Sequence, residues 1–341
     1  MILVTGGTGL VGSHLLYKLA TTTNNIRAIY RRAHKLESVK KVFSYYTDDV
    51  ETLYNKIDWI ETDLNDVPAL ADAFIGVTYV YHCAAFVSFE PDKYHQLRKI
   101  NIEGTANIVN LCVAHNVNKL CYVSSIAAIG HHQNDDRLIT EDTHWNPEDD
   151  NSVYAITKYG AEIEVWRGTQ EGVDTVIVNP GIILGPGFWK GGGSGSLIKQ
   201  VYKGFPYYTN GISAYVDVWD VIEVMYQLMQ SDIKNERFIV ISDNVSFRDF
   251  QEKAAASLGV PPAKKEATPL VLEIGWRLDW LRHKLLGKRR RLSKQMARTA
   301  KTKTVYDNSK IKSALDYKFK ALDESIDNVC KLYLNDIKEV N

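Results

Sequence analysis

Tyr154 and Lys158 form the residue pair whose chemistry is easiest to name in this sequence. They lie in a segment with helical periodicity from Ser152 to about Arg167, and a spacing of four residues places both on one helical face. A phenol with a pKa near ~10 is a weak acid–base catalyst at neutral pH, but a nearby cation favours the phenolate. We therefore predict that Lys158 lowers the pKa of Tyr154. Such a pair also occurs on solvated helix surfaces.

A serine at the end of a strand is the second chemical feature. The segment KLCYVSSIAAIG begins as an apolar strand and continues into Ser124 and Ser125. In a parallel α/β sheet the reacting groups lie at the carboxyl ends of the strands. A hydroxyl there can hydrogen-bond a substrate oxygen as negative charge develops on it. Serines at strand ends also serve as caps, so the segment alone leaves both roles open.

A glycine-rich loop, TGGTGLVG, follows the first predicted strand and begins a helical pattern. Its spaced glycines permit a tight turn and bring backbone N–H groups and the helix N-terminus close to a pyrophosphate. A turn without a ligand is the alternative. The predicted cofactor-binding residues of this loop are Gly6, Thr8, Gly9, Leu10, Val11 and Gly12.

The end of the second predicted strand indicates which nicotinamide cofactor is preferred. An acidic residue there suits the ribose 2′-hydroxyl of NAD, whereas arginine suits the 2′-phosphate of NADP. The chain has Arg31 and Arg32 in this place. We predict NADP (NADPH), with NAD as the alternative because arginines are common after surface strands. Asp63 and Leu64, after the third strand, are predicted to meet the adenine ring, with a solvated loop as the alternative for Asp63.

The elements that position these residues alternate between strands and helices, which predicts an α/β fold with a Rossmann-type, doubly wound parallel sheet. Right-handed crossovers then place helices on both faces of the sheet. The predicted strands are Ile2–Val4, Ile26–Tyr30, Ile57–Ile60, Tyr79–Cys83, Lys119–Val123 and Thr175–Val178.

Two parts are predicted along the chain. Residues 1–180 form a dinucleotide-binding core that carries the catalytic residues. Residues 181–341 form a smaller, mostly helical substrate-binding part, with some strands and helices returning to the core. This part has a predicted helix at Val218–Met229, a strand at Phe238–Ile241 and a flexible loop at Gly191–Ser196.

Composition narrows the class of protein. The chain has 41 basic and 41 acidic residues among 341, so it lacks the overall positive charge of a nucleic-acid binder. Its four widely spaced cysteines suggest neither a disulfide framework nor a CxxC metal site. No apolar run approaches the roughly 20 residues of a membrane span. We expect a cytoplasmic protein without a metal or a nucleic-acid partner.

Eight blocks of the sequence resemble, in order, those of the extended short-chain dehydrogenase/reductase family. The blocks are TGGTGLVG, TDLND, YHCAA, NIEGTANIVNLC, YVSSIAAIG, YAITK, NPGIILGPG and YVDVWDV. They run from Thr5 to Val221, so the resemblance covers most of the chain. It implies a Rossmann-type α/β enzyme that depends on NAD(P) and, by family habit, forms a homodimer.

The resemblance also implies roles for individual residues. Ser125, Tyr154 and Lys158 would be the catalytic set, with Asn101 supporting the site. The family spacing to Gly130 favours Ser125 over Ser124. Tyr154 would give or take the substrate oxygen's proton during hydride transfer, while Lys158 would hold the nicotinamide ribose. The implied cofactor-lining residues are Gly6, Gly9, Gly12, Arg31, Asp63, Ala84, Ala85, Tyr154, Lys158, Pro180 and Ile182.

The branches of this family differ in substrate. The nucleotide-sugar branch has an arginine just before YVDVWDV, where this chain has Ser213 and Ala214. We therefore predict a reductase or dehydrogenase for a carbonyl or alcohol, similar to dihydroflavonol-reductase-like and hydroxysteroid-dehydrogenase-like members. One alternative is a nucleotide-sugar epimerase or dehydratase with tightly bound NAD, using Arg248 or Arg277 for the diphosphate. A non-catalytic cofactor sensor is the other, and the intact catalytic set argues against it.

An aromatic-rich substrate pocket is predicted, which suits a lipophilic or aromatic small molecule. For any single aromatic residue, packing in the core of the second part is the alternative that we favour. His131 and His132 could assist proton traffic or bind a metal, but adjacent histidines are more typical of exposed loops, so no metal is assigned. The candidate pocket residues are Phe86, Val87, Ser88, Ile129–His132, Ile182–Leu184, Phe188, Trp189, Phe205, Tyr207 and Tyr208.

A basic amphipathic helix is predicted around residues 270–291. Ile274, Leu278, Leu281 and Leu285 follow helical spacing among arginines and lysines. We favour a helix that caps the substrate pocket and has a solvated outer face. The alternative is contact with an anionic membrane surface, where a lipophilic substrate would reside.

Overall fold

Seven parallel strands form one sheet in the computed structural model, which describes residues 1–131, 138–189, 193–288, 290 and 292–340. All strands of the protein are numbered together in chain order. Those of this sheet are β1 (Ile2–Thr5), β2 (Ile26–Tyr30), β3 (Ile57–Glu61), β4 (Tyr79–His82), β5 (Lys119–Val123), β6 (Asp174–Pro180) and β10 (Glu236–Val240). Their spatial order is β10-β6-β5-β4-β1-β2-β3, and all neighbours are parallel. The predicted Rossmann-type sheet is confirmed.

The remaining strands form two small sheets. β7 (Ile182–Leu184), β9 (Ile212–Asp217) and β11 (Asp243–Ser246) form a three-stranded sheet with β9 in the middle. β8 (Tyr207–Tyr208) pairs with β12 (Lys265–Glu266). In contrast, β10 returns from the second half of the chain to the edge of the main sheet, where Phe238 lies opposite Val178 of β6.

Helices cover both faces of the main sheet. One apolar cluster joins the sheet to α1 (Leu10–Thr22) and α9 (Val218–Gln230). A second cluster joins the other face of the sheet to α6 (Gly104–Ala114) and α7 (Val153–Gln170). Successive strand residues alternate between them, as Leu3 and Val4 do, because side chains of a strand point to opposite faces. The helices are α1 (Leu10–Thr22), α2 (Leu36–Phe43), α3 (Val50–Tyr54), α4 (Val67–Ala73), α5 (Tyr94–Leu97), α6 (Gly104–Ala114), α7 (Val153–Gln170), α8 (Gly195–Tyr202), α9 (Val218–Gln230), α10 (Phe247–Leu258), α11 (Pro269–Leu286), α12 (Lys294–Thr299), α13 (Ser309–Leu315) and α14 (Leu322–Val340). Among the described residues, none of these helices has the length and apolar character needed to cross a membrane.

Two predictions about local structure have different outcomes. The helix predicted from Ser152 is confirmed as α7, and the Ser152 hydroxyl caps it by accepting a hydrogen bond from the Ala155 N–H at 3.0 Å. The flexible loop predicted at Gly191–Ser196 is wrong at its end, because α8 begins at Gly195 and buries Ile198 and Val201 at helical spacing. Residues 191 and 192 lie outside the described residues.

A buried carboxylate fastens α7 to three neighbouring strands. Glu162 Oε2 accepts hydrogen bonds from Ser124 Oγ after β5 at 2.6 Å and from Asn179 Nδ2 of β6 at 2.9 Å. Its other oxygen, Oε1, accepts from Arg237 Nη1 of β10 at 2.9 Å. The Glu162 side chain is only 2% exposed. This one charged group therefore ties α7 to the ends of β5 and β6 and to β10, in addition to the apolar packing of the helix on the sheet.

We expect Arg237→Met to lower the free energy of unfolding by about 3 kcal/mol, because it leaves a buried carboxylate without its cation. Arg248→Met is the matched control, since Arg248 pairs with Glu252 on the surface of α10, and it should cost less than about 1 kcal/mol. Urea denaturation of the parent and both variants measures the difference. Equal losses in the two variants would contradict the role assigned to the buried pair.

Candidate active site at the carboxyl ends of the strands

The glycine loop between β1 and α1 has the shape that a dinucleotide requires. Gly6 has a φ of +69°, and a Cβ placed on it would lie 2.6 Å from the Ala84 nitrogen. A Cβ on Gly12 would lie 2.2 Å from the Gly6 carbonyl oxygen. Gly9 caps α1 and has no side chain to bond the first helical N–H groups. These N–H groups are therefore open to a pyrophosphate, so the residues fit the cofactor.

The loop lies where the direction of the sheet connections changes. β1 and β4 are neighbours in the sheet. The connection after β1 leads to β2 on one side of this pair, whereas the connection after β4 leads to β5 on the other side. This switch point is where Rossmann-type sheets bind dinucleotides. Thr8, Leu10 and Val11 lie in the same loop and at the start of α1, as the sequence predicts.

Arg31 and Asp63 lie together after β2 and β3. Arg31 Nη1 is 3.3 Å from Asp63 Oδ2, and both side chains are exposed by a third or more. Arg32 is exposed beside them. Leu64 is buried, and its carbonyl oxygen accepts a hydrogen bond from Asn107 Nδ2 at 2.9 Å. The structure thus brings the predicted adenosine-side residues to one edge of the site.

Asn101 fixes the loop after β4. Its Oδ1 accepts from the Phe86 N–H at 2.7 Å, and its Nδ2 donates to the Phe86 carbonyl oxygen at 3.0 Å and to Thr157 Oγ1 of α7 at 3.2 Å. Asn101 is buried, so its observed contacts position other residues. Ala84 and Ala85 precede this loop, and the Ala84 N–H donates to Thr5 Oγ1 at 3.3 Å.

The Lys158 ammonium is buried and points to β5. Its Nζ donates to Tyr122 Oη at 2.7 Å and to the Val123 carbonyl oxygen at 2.8 Å. Burial lowers the pKa of Lys158 to about 7, although the nearby Glu162 carboxylate acts in the opposite direction. Sequence reasoning missed Tyr122 because a strand tyrosine carries no motif of its own.

Tyr154 is half-buried, and its hydroxyl lies near the Ser125 side chain. Burial raises the pKa of Tyr154 to about 12, and the nearby Ser125 hydroxyl opposes this rise only in part. The prediction that Lys158 lowers the pKa of Tyr154 is therefore wrong for the protein without cofactor. The physical reason is that burial penalises the phenolate, while the ammonium is held by Tyr122 and Val123.

The two serines after β5 have different partners. Ser124 is buried and its hydroxyl donates to Glu162, whereas Ser125 is half-buried and its Oγ accepts from the Ala127 N–H at 3.1 Å, as a cap. Asn179 Nδ2 also donates to the Ser125 carbonyl oxygen at 2.9 Å. The end of β6, with Pro180, is thereby joined to the serine loop, and Ile182 follows in β7.

A chain of hydrogen bonds lies beneath Lys158. Thr5 Oγ1 is 2.6 Å from His82 Nδ1, and His82 Nε2 is 3.0 Å from Thr105 Oγ1. The His82 ring stacks on Tyr122 with centroids 5.4 Å apart. Burial, with a smaller effect of the Lys158 charge, lowers the pKa of His82 to about 3. His82 is thus a neutral group that supports Tyr122.

The predicted pocket residues do not all surround Tyr154. Trp189 packs on Tyr333 and donates to Asp336 of α14 at 2.6 Å, so it belongs to the core of the second part. Phe205 lines a separate cavity with Phe247 and Phe250. Trp189 therefore follows the alternative of core packing, and Phe205 lines a cavity between α8 and α10 instead of sharing one pocket with it.

One aromatic residue that the sequence did not single out does lie at Tyr154. The exposed Phe89 ring meets the Tyr154 ring edge to face with centroids 5.4 Å apart. Phe86 and Val87, which were predicted, lie on the same loop. His131 is 3.7 Å from Asp149, and His132 lies outside the described residues.

Comparisons with known proteins identify the family. The model of the family described as "NAD dependent epimerase/dehydratase family" matches residues 2–241. A "Putative dihydroflavonol 4-reductase" from Synechocystis is 29% identical over 83% of this chain and 79% of its own. "Cinnamoyl-CoA reductase 1" from Petunia hybrida is 26% identical over 70% and 72%.

The fold agrees with that of a solved structure. The crystal structure of UDP-glucose 4-epimerase with UDP-glucose from Thermotoga maritima superposes with a TM-score of 0.76, at 19% identity, covering 98% of this chain and 99% of the other. The resemblance inferred from the eight sequence blocks is confirmed. The chain therefore belongs to the NAD dependent epimerase/dehydratase family, as an NAD(P)-dependent enzyme of the extended short-chain dehydrogenase/reductase type.

Proposed function

We propose that this enzyme is an NADP(H)-dependent reductase or dehydrogenase that acts on the carbonyl or alcohol of a lipophilic or aromatic small molecule. The observation that carries the proposal is the Tyr154 hydroxyl, which lies near the Ser125 side chain and is flanked by the exposed Phe89 ring. A proton donor, a second hydroxyl and an apolar surface thus lie together at the carboxyl end of β5.

The catalytic roles follow from this geometry. The bound nicotinamide supplies or accepts the hydride. With a pKa of about 12, Tyr154 is protonated at neutral pH and donates its proton to the substrate oxygen in the reductive direction. Ser125 orients that oxygen by a hydrogen bond. Lys158, held at Tyr122 and Val123, would hold the nicotinamide ribose.

The ion pairs of the two candidate diphosphate-binding arginines favour an apolar substrate over a nucleotide sugar. Arg248 is bonded to Glu252 at 2.8 Å and lies over the Tyr208 ring. Arg277 is bonded to Glu273 at 2.6 Å. Both candidates for a diphosphate-binding arginine therefore already have carboxylate partners. Ala214, in the block where the sugar branch has its arginine, is buried in β9.

The cofactor preference and the location are parts of the same proposal. Arg31 and Arg32 stand exposed after β2 in the place that distinguishes NADP from NAD, so the 2′-phosphate is favoured. A cytoplasmic location is consistent with four free cysteines, of which Cys112, Cys121 and Cys330 are buried.

Tyr154→Phe should lower the turnover number by about a hundredfold or more, because it removes the proton donor. The binding of NADPH should change by less than about twofold, since the ring and its packing remain. Tyr159→Phe, which alters a tyrosine stacked on Trp145 of the loop before α7, is the control and should retain activity.

Oxidation of NADPH with a panel of aromatic and aliphatic aldehydes and ketones measures this effect. Full activity of Tyr154→Phe would refute the proposed chemistry. A parent enzyme that is purified with bound NAD and shows no net NADPH oxidation would instead favour the nucleotide-sugar alternative.

Arg31→Ser should weaken the binding of NADPH by about tenfold or more, because a charge-assisted hydrogen bond to phosphate is lost. The binding of NADH should remain almost unchanged. Lys35→Ser, an exposed lysine four residues further along, is the control. Fluorescence titration with both cofactors gives the four dissociation constants, and an equal loss for NADPH and NADH would contradict a role in 2′-phosphate recognition.

A further inference from the structure

Helix α11 presents a row of aliphatic side chains to the solvent. Five residues spaced by three or four follow one side of the helix, where an amphipathic helix normally faces a core. Each of them is between 43% and 71% exposed, so nothing in the described chain covers this row. The row, called here the aliphatic face, consists of Leu270, Ile274, Leu278, Leu281 and Leu285.

The opposite side of α11 is attached to the protein. Leu272 is buried, and Trp276 packs with it in a cluster that includes Tyr207 of β8 and Ala297 of α12. Thr268 is the N-cap of the helix, and its hydroxyl accepts a hydrogen bond from the Val271 N–H. The orientation of α11 is therefore fixed by packing, and the aliphatic face is its outer side.

The segment of the chain that contains this face is strongly basic. Residues 264–303 contain thirteen lysines and arginines but only three acidic residues, a surplus of ten positive charges in a chain with no net charge. The rest of the chain consequently carries ten surplus negative charges. On α11 itself, Glu273 is paired with Arg277 and Asp279 with Arg282. Lys284 lies over the Trp280 ring at the flank of the aliphatic face.

We propose that α11 binds an anionic lipid bilayer, with the aliphatic face among the acyl chains near the headgroups and the surrounding cations at the lipid phosphates. An exposed apolar face with a basic border is the pattern of helices that lie in a membrane interface. A second copy of the chain fits less well, because pairing two aliphatic faces would bring together two segments with ten surplus positive charges each. This surface is independent of the reaction proposed above.

The segment that follows α11 links it to the catalytic helix. Arg298 of α12 forms an ion pair with Asp150 in the loop before α7. The Thr302 carbonyl oxygen accepts from the Ile212 N–H at the start of β9. The outer face of α11 is thus part of the folded enzyme and not a separate tail.

Co-sedimentation of the full chain with vesicles tests the proposal. The parent protein should bind equimolar phosphatidylglycerol and phosphatidylcholine vesicles in low-salt buffer and should not bind phosphatidylcholine alone. Binding should weaken strongly at about 1 M salt, where the Debye length falls to about 3 Å. Absence of binding to the anionic vesicles at low salt would overturn the proposal.

Paired variants separate the two parts of the surface. Leu278→Ser with Leu281→Ser should weaken binding by about tenfold or more, whereas Val67→Ser with Ile75→Ser, two exposed residues elsewhere, should not. Lys284→Glu with Lys288→Glu should also weaken binding by about tenfold. Lys99→Glu with Lys312→Glu changes the net charge equally at exposed positions outside this segment and should have the smaller effect.

Two further outcomes would count against the lipid surface. Equal binding of the parent and the Leu278→Ser, Leu281→Ser protein would exclude the aliphatic face. A dimer of the parent that becomes a monomer in this variant, measured by analytical ultracentrifugation without vesicles, would show that a second copy covers the face. Circular dichroism and thermal unfolding of each variant, compared with the parent, establish that the protein is folded.

Discussion

The hydrogen bonds accepted by the Glu162 carboxylate constrain the geometry of the proposed active site. Three side chains donate to this carboxylate, from the end of β5, from β6 and from β10. A buried charge is tolerated only when such partners are supplied, and it then holds them in one geometry. Since Tyr154, Lys158 and Glu162 follow each other at intervals of four residues on α7, the contact that fixes the helix also sets where the phenol and the ammonium lie.

This arrangement joins the two halves of the chain chemically. Arg237 reaches Glu162 only because β10 leaves the second half and pairs with β6. Asn179 extends the same network to the backbone of Ser125. A change in the packing of β10 would therefore alter the surroundings of Ser125, the proposed catalytic serine, although Arg237 is remote from it in sequence.

Sequence periodicity was sufficient to predict the parallel strands of the first half and helix α7, because buried strands and an N-capped helix have local signals in the sequence. The choice of Ser125 over Ser124 came instead from the family resemblance. Sequence periodicity places only Tyr154 and Lys158, on one face of α7. It could not show that Lys158 turns to Tyr122, because the direction of a long side chain depends on tertiary partners. For the same reason, the pKa of Tyr154 was predicted in the wrong direction. Aromatic composition does not distinguish a pocket from a core, so only the structure could assign Trp189 to the core.

The most direct test of hydride transfer with net turnover uses NADPH that carries deuterium at the transferable position of C4. The enzyme is incubated with a carbonyl compound that it reduces, and the product is analysed by mass spectrometry. Our account predicts one deuterium on the new carbinol carbon for each NADP⁺ formed, with transfer almost abolished in Tyr154→Phe. Oxidation of NADPH without deuterium in the product, or equal transfer in the variant, would contradict it.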